Sequence, residues 1–227
     1  MPDWLSRLWY GTNKCWVMAA FSLGFSTRFE GGCNVPRQGP ALLIANHQSF
    51  LDPLAIGLAT PRQLCFLARK TLFTQPQFGA YLRSVGCVAV DQEGFAREGL
   101  KTTLNLLKEG KAVLVFPEGE RTPTGKMLPF KPGIHLLMKR SAVPIVPVGI
   151  AGAFQAYPRM NLLPRLSPLF LPATDATVAV SIGSPLNPHS YVDWPREKVL
   201  EELFQKIHFQ YLRAERLRRK PQPCLTG

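Results

Sequence analysis

Ala41-Leu42-Leu43-Ile44-Ala45-Asn46-His47-Gln48-Ser49-Phe50-Leu51-Asp52 is the stretch on which the reading of this fold turns. Five small apolar residues end abruptly in polar ones, which is the pattern of a short buried strand. A histidine and a carboxylate, five residues apart, follow at once. In α/β folds, ligands collect beyond the carboxyl ends of the strands. A spacing of five does not stack two side chains on one helix face, whereas three or four does. The pair should therefore straddle a loop-to-helix turn, with Asp52 in or near the first helical turn, where Pro53 is tolerated. Histidine moves protons near neutral pH. A carboxylate on its far ring nitrogen fixes the tautomer and stabilises the imidazolium. Taken alone, the same residues also describe a buried histidine beside a capping carboxylate, so the neighbouring segments have to decide between the two.

Val113-Leu114-Val115-Phe116-Pro117-Glu118-Gly119-Glu120-Arg121-Thr122 is a second apolar run breaking into a polar turn. Arg121 is a forked, permanently charged donor suited to phosphate oxygens. It also fits an ordinary surface ion pair with Glu118 or Glu120. Phe130-Lys131-Pro132-Gly133 puts another cation where a helix begins, a natural setting for an anion. The prolines of Val143-Pro144-Ile145-Val146-Pro147-Val148-Gly149-Ile150 argue for a short edge or irregular strand.

Strands are expected at 41–45, 64–67, 86–90, 112–116, 145–149 and 177–182, and helices at 52–59, 74–83, 93–109, 132–140 and 195–216. That alternation predicts an α/β fold, a mostly parallel central sheet flanked by helices. Residues 1–30 read as one or two short amphipathic helices at a membrane interface. Trp4, Trp9, Tyr10 and Trp16 accompany a short apolar core flanked by Arg7, Lys14 and Arg28, as in interfacial anchors. Packing of that segment on the domain is the alternative. No stretch has the length of a spanning helix. Residues 151–175 are rich in Pro and apolar residues without periodicity, and suit a mobile, membrane-facing cover.

The chain has 227 residues, a formal net charge of +12 and 46 % hydrophobic residues. One domain with a real core is expected. The charge implies an anionic partner. Without a zinc-finger spacing or another nucleic-acid signature, membrane phosphates fit better than nucleic acid. Arg213, Arg216, Arg218, Arg219 and Lys220 form a basic tail that suits either lipid phosphates or a solvated helix end. The five cysteines show no pairing pattern, which fits a reducing compartment, with Cys65 and Cys87 as buried thiols. His135, His189 and His208 lack ligand-like partners, so no metal is implied.

Four blocks in order resemble the glycerolipid acyltransferases, closest to the lysophosphatidic acid acyltransferase group. They are Asn46-His47-x4-Asp52, Gly86-x4-Asp91, Phe116-Pro117-Glu118-Gly119-x-Arg121 and Val143-Pro144-Ile145-Val146-Pro147-Val148. Arg69-Lys70-Thr71-Leu72-Phe73 and Phe78-Gly79 add to the likeness, which covers about residues 35 to 185. Two positions depart from the family pattern. Gln92 stands where an Arg is usual, and Glu120 where a Thr is usual. Both bear on the acceptor's head group more than on the chemistry.

The resemblance implies acyl transfer from a thioester donor, acyl-CoA or acyl carrier protein, to the free sn-2 hydroxyl of 1-acyl-glycerol-3-phosphate. An alcohol needs its proton removed and a thiol leaves readily, so a base is required and no cofactor is expected. His47 would be the base and Asp52 its orienter. Ser49 reads as a helix cap, and no Gly-x-Ser-x-Gly elbow supports a serine acyl-enzyme. Arg121 would bind the acceptor phosphate, with Lys131, Lys70 and Arg69 adding charge. Glu118 and Gly119 would border that site, Glu118 by shaping the turn or by bonding the glycerol. The expected organisation is an interfacial segment at 1–30, an acyltransferase domain at 35–216 and a tail at 217–227. The expected place is the cytoplasmic face of the inner cell membrane, on anionic lipid. The competing readings are another acceptor, such as glycerol-3-phosphate or a different lysophospholipid, and a peripheral protein that binds anionic lipid without catalysis.

Overall fold

In the computed structural model, residues 3–91, 95–161, 163–170 and 172–219 are described. Gln92, Lys220 and Cys224 lie outside them. In chain order the elements are α1 (Asp3–Phe25), β1 (Arg28–Glu30), β2 (Ala41–Ala45), α2 (Asp52–Ala59), β3 (Cys65–Arg69), α3 (Pro76–Ser84), β4 (Cys87–Val90), α4 (Phe95–Lys108), β5 (Ala112–Val115), α5 (Gly133–Ser141), β6 (Ile145–Ala151), the single turn α6 (Ala153–Ala156), β7 (Ala179–Ile182) and α7 (Arg196–Arg219). The seven strands form one sheet in the order β1-β7-β6-β2-β5-β3-β4. All neighbours are parallel except β6 and β7. The α/β reading with a mostly parallel sheet is what the chain adopts.

β2 lies in the middle and its alternation builds both cores. Ala41, Leu43 and Ala45 face a cluster with Phe21 and Phe25 of α1 and Ala55, Ile56 and Leu58 of α2. Leu42 and Ile44 face a second cluster with Leu107 of α4, Ile134, Leu137 and Met138 of α5, and Val199, Leu203 and Ile207 of α7. A strand covered on both faces reads as an unbroken apolar run, which is why residues 41–45 show no alternation. Each fully buried aliphatic side chain contributes roughly 1.5–3 kcal/mol.

Three expectations need correction. The N-terminal segment is a single helix of 23 residues rather than one or two short ones. It is held on α2 by Lys14 Nζ, which donates to the carbonyl of Thr60. A strand at Arg28–Glu30 was not foreseen. Two of its three residues are charged, so no apolar run announces it, and its place is set by parallel pairing with β7. The proline-rich β6 is no edge strand: its seven residues are all buried between β2 and β7. The carbonyl of Pro144 accepts from Leu42 on the β2 side, while Ile145 and Pro147 bond towards β7. The N–H that Pro147 lacks therefore falls where the β7 ladder is interrupted, between the bridge Ile145–Leu186 and the pair Val148–Ile182. A proline is tolerated in a central strand at such a gap.

The basic tail also turns out differently. Arg218 is buried, bonded to Glu215 and to the carbonyl of Asp175. Arg213 pairs with Glu30 at 2.8 Å and Arg219 with Glu215 at 3.0 Å. Arg213 ties α7 to β1 and Arg218 ties it to the loop before β7, whereas the Arg219 pair lies within the helix. The helix passes so close to β6 that a Cβ on Gly149 would sit 2.1 Å from the α7 backbone at Gln210 and Tyr211. Part of the 151–175 stretch is bonded to the end of α1 and the residues that follow it. Ser167 N donates to the carbonyl of Gly24, Leu169 N to that of Leu23, and Ser26 Oγ to that of Ser167. Cys87 is buried, which pushes its thiol up to about 12, and Cys65 is half-buried.

Candidate active site

β2 and β5 are neighbours, and the connections that follow them depart to opposite faces, β2 into α2 and β5 into α5. That divergence opens a crevice at their carboxyl ends, the usual place for a ligand in an open α/β sheet. Asn46-His47 leaves β2 there, and Phe116-Pro117-Glu118 leaves β5.

His47 Nδ1 lies 2.8 Å from Asp52 Oδ2. The same oxygen accepts the backbone N–H groups of Gln48 and Ser49. Asp52, fully buried in the first turn of α2, thus folds the preceding loop around itself. Two backbone N–H donors on that oxygen mark it as an acceptor, which assigns the proton of the neutral His47 ring to Nδ1. Nε2 is then the lone-pair nitrogen. The imidazole stacks on Phe116, centroids 4.0 Å apart at 15°, and 18 % of its side chain is exposed. The ring is fixed on one side and open on another.

The backbone of this loop is held by side chains from the next strands. Asn46 continues the β2–β6 ladder beyond its last peptide: its amide nitrogen donates to the carbonyl of Ile150 and its oxygen accepts from Ile150 N, both at 2.9 Å. Glu118 is buried, with Oε1 accepting from His47 N at 2.8 Å and Oε2 from Leu128 N at 2.9 Å. Burial pushes its carboxyl up to about 7 despite those two amides. Of its two foreseen roles, the bonds made here are those that shape the turn. Gly119 closes that turn at φ 76°, in the left-handed region, with its N–H on the carbonyl of Phe116. Ser49 is not the cap of α2. Leu51 holds that position without a side-chain cap; the Ser49 hydroxyl accepts from Leu51 N at 3.3 Å and donates to the carbonyl of Tyr157 at 2.7 Å.

Arg121 lies over the exposed ring of Phe50, its guanidinium carbon 3.5 Å from the centroid. Its Nη1 is buried without a hydrogen-bond partner. Burial first, then the charges of Arg159 and Arg69, depress its ionisation below the usual range. The surface ion pair that the sequence allowed is absent among the described residues: Glu118 is occupied by the backbone, and Glu120 faces Arg159 at 3.8 Å. The foreseen cations divide. Arg69 acts on Arg121. Lys70 is paired instead with Asp91 at 2.9 Å, and Lys131 is exposed with its stem against Gly119.

Sequence reasoning missed Arg159. It sits in the aperiodic 151–175 stretch, and the available signal was Glu120, an anion beside Arg121 that needed a cation elsewhere. It also missed Phe50 and Phe116 as the rings that carry Arg121 and His47.

The arrangement combines an oriented base with a group of arginines, one of which has an unsatisfied guanidinium nitrogen. It suits proton removal from a hydroxyl on an anionic substrate.

Comparison with known proteins bears on the family and the fold. A family model described as Acyltransferase matches residues 26–151, more than half of the chain. A 1-acyl-sn-glycerol-3-phosphate acyltransferase of Saccharomyces cerevisiae is 35 % identical over 148 residues, 62 % of this chain and 48 % of that protein. The enzyme of the same name from Streptococcus pneumoniae is 30 % identical over 139 residues, 60 % of this chain and 51 % of its own length. The chain spans about half the length of the curated relatives it matches. The crystal structure of the 1-acyl-sn-glycerophosphate (LPA) acyltransferase from Thermotoga maritima superposes with a TM-score of 0.76 at 24 % identity, covering 97 % of this chain and 85 % of that one. That likeness is one of fold.

Proposed function

The chain belongs to the acyltransferase family, and from that premise we propose that it moves a fatty acyl group from a thioester to the free sn-2 hydroxyl of 1-acyl-glycerol-3-phosphate, giving phosphatidic acid. The observation that carries this reading is the His47–Asp52 contact of 2.8 Å set beside Arg121, whose buried Nη1 has no partner.

His47 Nε2 takes the proton of the acceptor hydroxyl as its oxygen attacks the thioester carbonyl. The C–S bond breaks, an ester bond forms, and the thiolate leaves with the proton that His47 returns. Asp52 keeps Nδ1 protonated and offsets the imidazolium charge. Positioned proton transfer of this kind contributes about 10²–10⁴-fold. Arg121 holds the acceptor phosphate, and Arg69 and Arg159 flank it. Glu118 is a positioning residue for the His47 backbone. Among the described residues no helix is long and apolar enough to cross a membrane. The outward Trp4, Leu8, Trp16 and Leu23 of α1, with Leu163 and Phe170, are exposed and suit an interfacial attachment to anionic lipid. On this reading the protein works on the cytoplasmic face of the cell membrane, and acyl-CoA or acyl carrier protein is a co-substrate rather than a cofactor.

The test is phosphatidate formation by wild type and His47→Ala from lysophosphatidate, with both donors. Product from wild type and its loss in a folded variant supports the reading. Wild type that is inert on lysophosphatidate but active on glycerol-3-phosphate or another lysophospholipid moves the acceptor. Binding of anionic vesicles without any turnover overturns catalysis.

A further inference from the structure

On the side of the sheet opposite α1, a groove of about 580 Å³ runs between α4 and α5. Arg97, Lys101 and Lys108 of α4 and Arg140 of α5 line it, with Leu104 and Leu136 half-buried between them. No acidic side chain among the described residues lines the groove. Among the described residues none of the four cations pairs with a carboxylate, and all four are exposed. Positions 97, 101 and 108 follow one face of α4 over about 16 Å, at 1.5 Å per residue. Like charges four apart work against a helix, so this stripe lacks an internal counter-charge and calls for an external one. Apolar residues between cations match the complementary pattern of an acidic amphipathic helix, whose apolar side chains enter the groove while its carboxylates meet the walls.

Lipid phosphates would satisfy the charge but not the placement. Trp4, Leu8, Trp9, Trp16 and Leu23 stand exposed on α1, and Leu166 and Leu169 are joined to its C-terminal end. A bilayer seated there leaves α4 and α5 turned to water. Both helices also begin at the carboxyl edge that carries His47, since each follows a parallel strand.

We propose that the α4–α5 groove docks a soluble acidic carrier protein through an acidic amphipathic helix, and that this carrier presents the acyl thioester to His47 over the edge of the sheet. The inference rests on the acyl-transfer reading. It selects the carrier over free acyl-CoA as the donor that the surface is built to recognise.

The experiment compares wild type with Lys101→Glu/Arg140→Glu, using acyl-loaded acyl carrier protein and acyl-CoA with lysophosphatidate in vesicles. Anisotropy of labelled acyl carrier protein is measured on the same proteins. Reversing two charges at such an interface should raise KM for the carrier at least about tenfold, weaken its binding alike, and leave KM for acyl-CoA within about twofold. The acyl-CoA arm is also the control for folding. Unchanged carrier binding and KM, equal losses with both donors, or lost sedimentation with anionic vesicles would each overturn the docking role. Absence of turnover with either donor overturns the acyl-transfer reading instead, and the anisotropy still decides the docking.

Discussion

On the α1–α2 side of the sheet, outward residues include Trp4, Leu8, Trp16 and Leu23; on the α4–α5 side they include Arg97, Lys101, Lys108 and Arg140. The two sides are alike within. Alternate residues of β2 bury Leu43 towards one and Leu42 and Ile44 towards the other, all at 0 % exposure. The hydrophobic effect accounts for the interior of both and for the exterior of neither. Contiguous exposed apolar surface marks an interaction site, and so does an unpaired stripe of one charge. His47 stacks on Phe116, which packs with the α1–α2 cluster, so the chemistry opens towards the apolar exterior. A sheet of this kind can meet lipid on one side and a water-borne donor on the other, with the reacting atoms at the edge between them.

The largest effect should come from the edge itself. His47→Ala is expected to lower kcat with lysophosphatidate by about 10²–10⁴-fold, with an unfolding midpoint close to wild type, because the half-buried ring supports no core. Steady-state turnover beside chemical denaturation checks both halves. Activity near that of wild type would remove the edge as the seat of chemistry and reduce the two exteriors to two unrelated surfaces.

Leu203→Ala tests the reverse case. Leu203 is 1 % exposed and joins α7 to the α4–α5 cluster. Its truncation should cost about 2–5 kcal/mol of folding stability while leaving KM for the acceptor unchanged at temperatures where the variant is folded. A changed acceptor KM would mean that the water-facing layer shapes the site more directly than its distance from His47 implies.

Glu118 sits between the two sides, and its pH dependence sharpens where the edge belongs. Its carboxyl titrates at about 7 in the fold against an ordinary 4.5, because burial outweighs the amides of His47 and Leu128; Asp52 pushes it the same way. The folded chain therefore holds a proton that the unfolded chain has lost between those values. The stability that this proton contributes is complete below about pH 4.5 and is lost as pH rises to about 7. Glu118→Gln should flatten that slope. It should also cost about 1–3 kcal/mol, because one of the two amides loses its acceptor. Denaturation midpoints of both proteins at several pH values give the difference. An equal slope in the variant would assign the titration elsewhere.

Arg121→Ala should raise KM for a phosphate-bearing acceptor by about 10- to 100-fold, the range of a lost charged hydrogen bond, with a smaller change in kcat. Arg159→Ala should do the same more weakly, and Glu120→Thr should lower KM by freeing Arg159. A panel of acceptors with and without a terminal phosphate checks all three. If Arg121→Ala slowed every acceptor equally, the pocket would be shaping the loop rather than holding phosphate.

What the sequence disclosed follows from what is local. The β2–His47–Asp52 turn was legible because a strand, a turn and a helix start within twelve residues, and the contact between its ends needs no other segment. The apolar runs of six strands were visible for the same reason. Long-range placement was not. β1 is a strand only because β7 lies beside it. Pro147 is acceptable in a central strand only because the ladder is broken opposite its missing N–H. Arg159 joins Arg121 across thirty-eight positions in the chain, through a stretch with no periodicity to guide its placement. Arg213 and Arg218 looked free because Glu30 and the carbonyl of Asp175, which receive them, are remote in sequence. Arg121 was foreseen for its chemistry, yet its support on Phe50 and its neighbours in space were not.

Trp16→Glu makes the smallest change and bears most directly on the contrast between the two sides. Trp16 is 72 % exposed on α1, about two helical turns from the exposed Leu8 on one side and Leu23 on the other. Because nothing packs over it, its replacement should shift folding stability by no more than about 0.5 kcal/mol, as for other surface sites. Partition onto vesicles should still fall several-fold, since a charge would enter the apolar stripe that meets the interface. Sedimentation with neutral and with anionic vesicles separates the contributions: a loss on both is a loss of apolar contact, and a loss on anionic vesicles alone is electrostatic. The matching change on the other side, Lys101→Glu, should leave both partitions alone if that surface faces water. Should Lys101→Glu release the protein from anionic vesicles while Trp16→Glu does not, the sides are reversed: α4 and α5 would lie on the membrane, and α1 would be an ordinary packed helix.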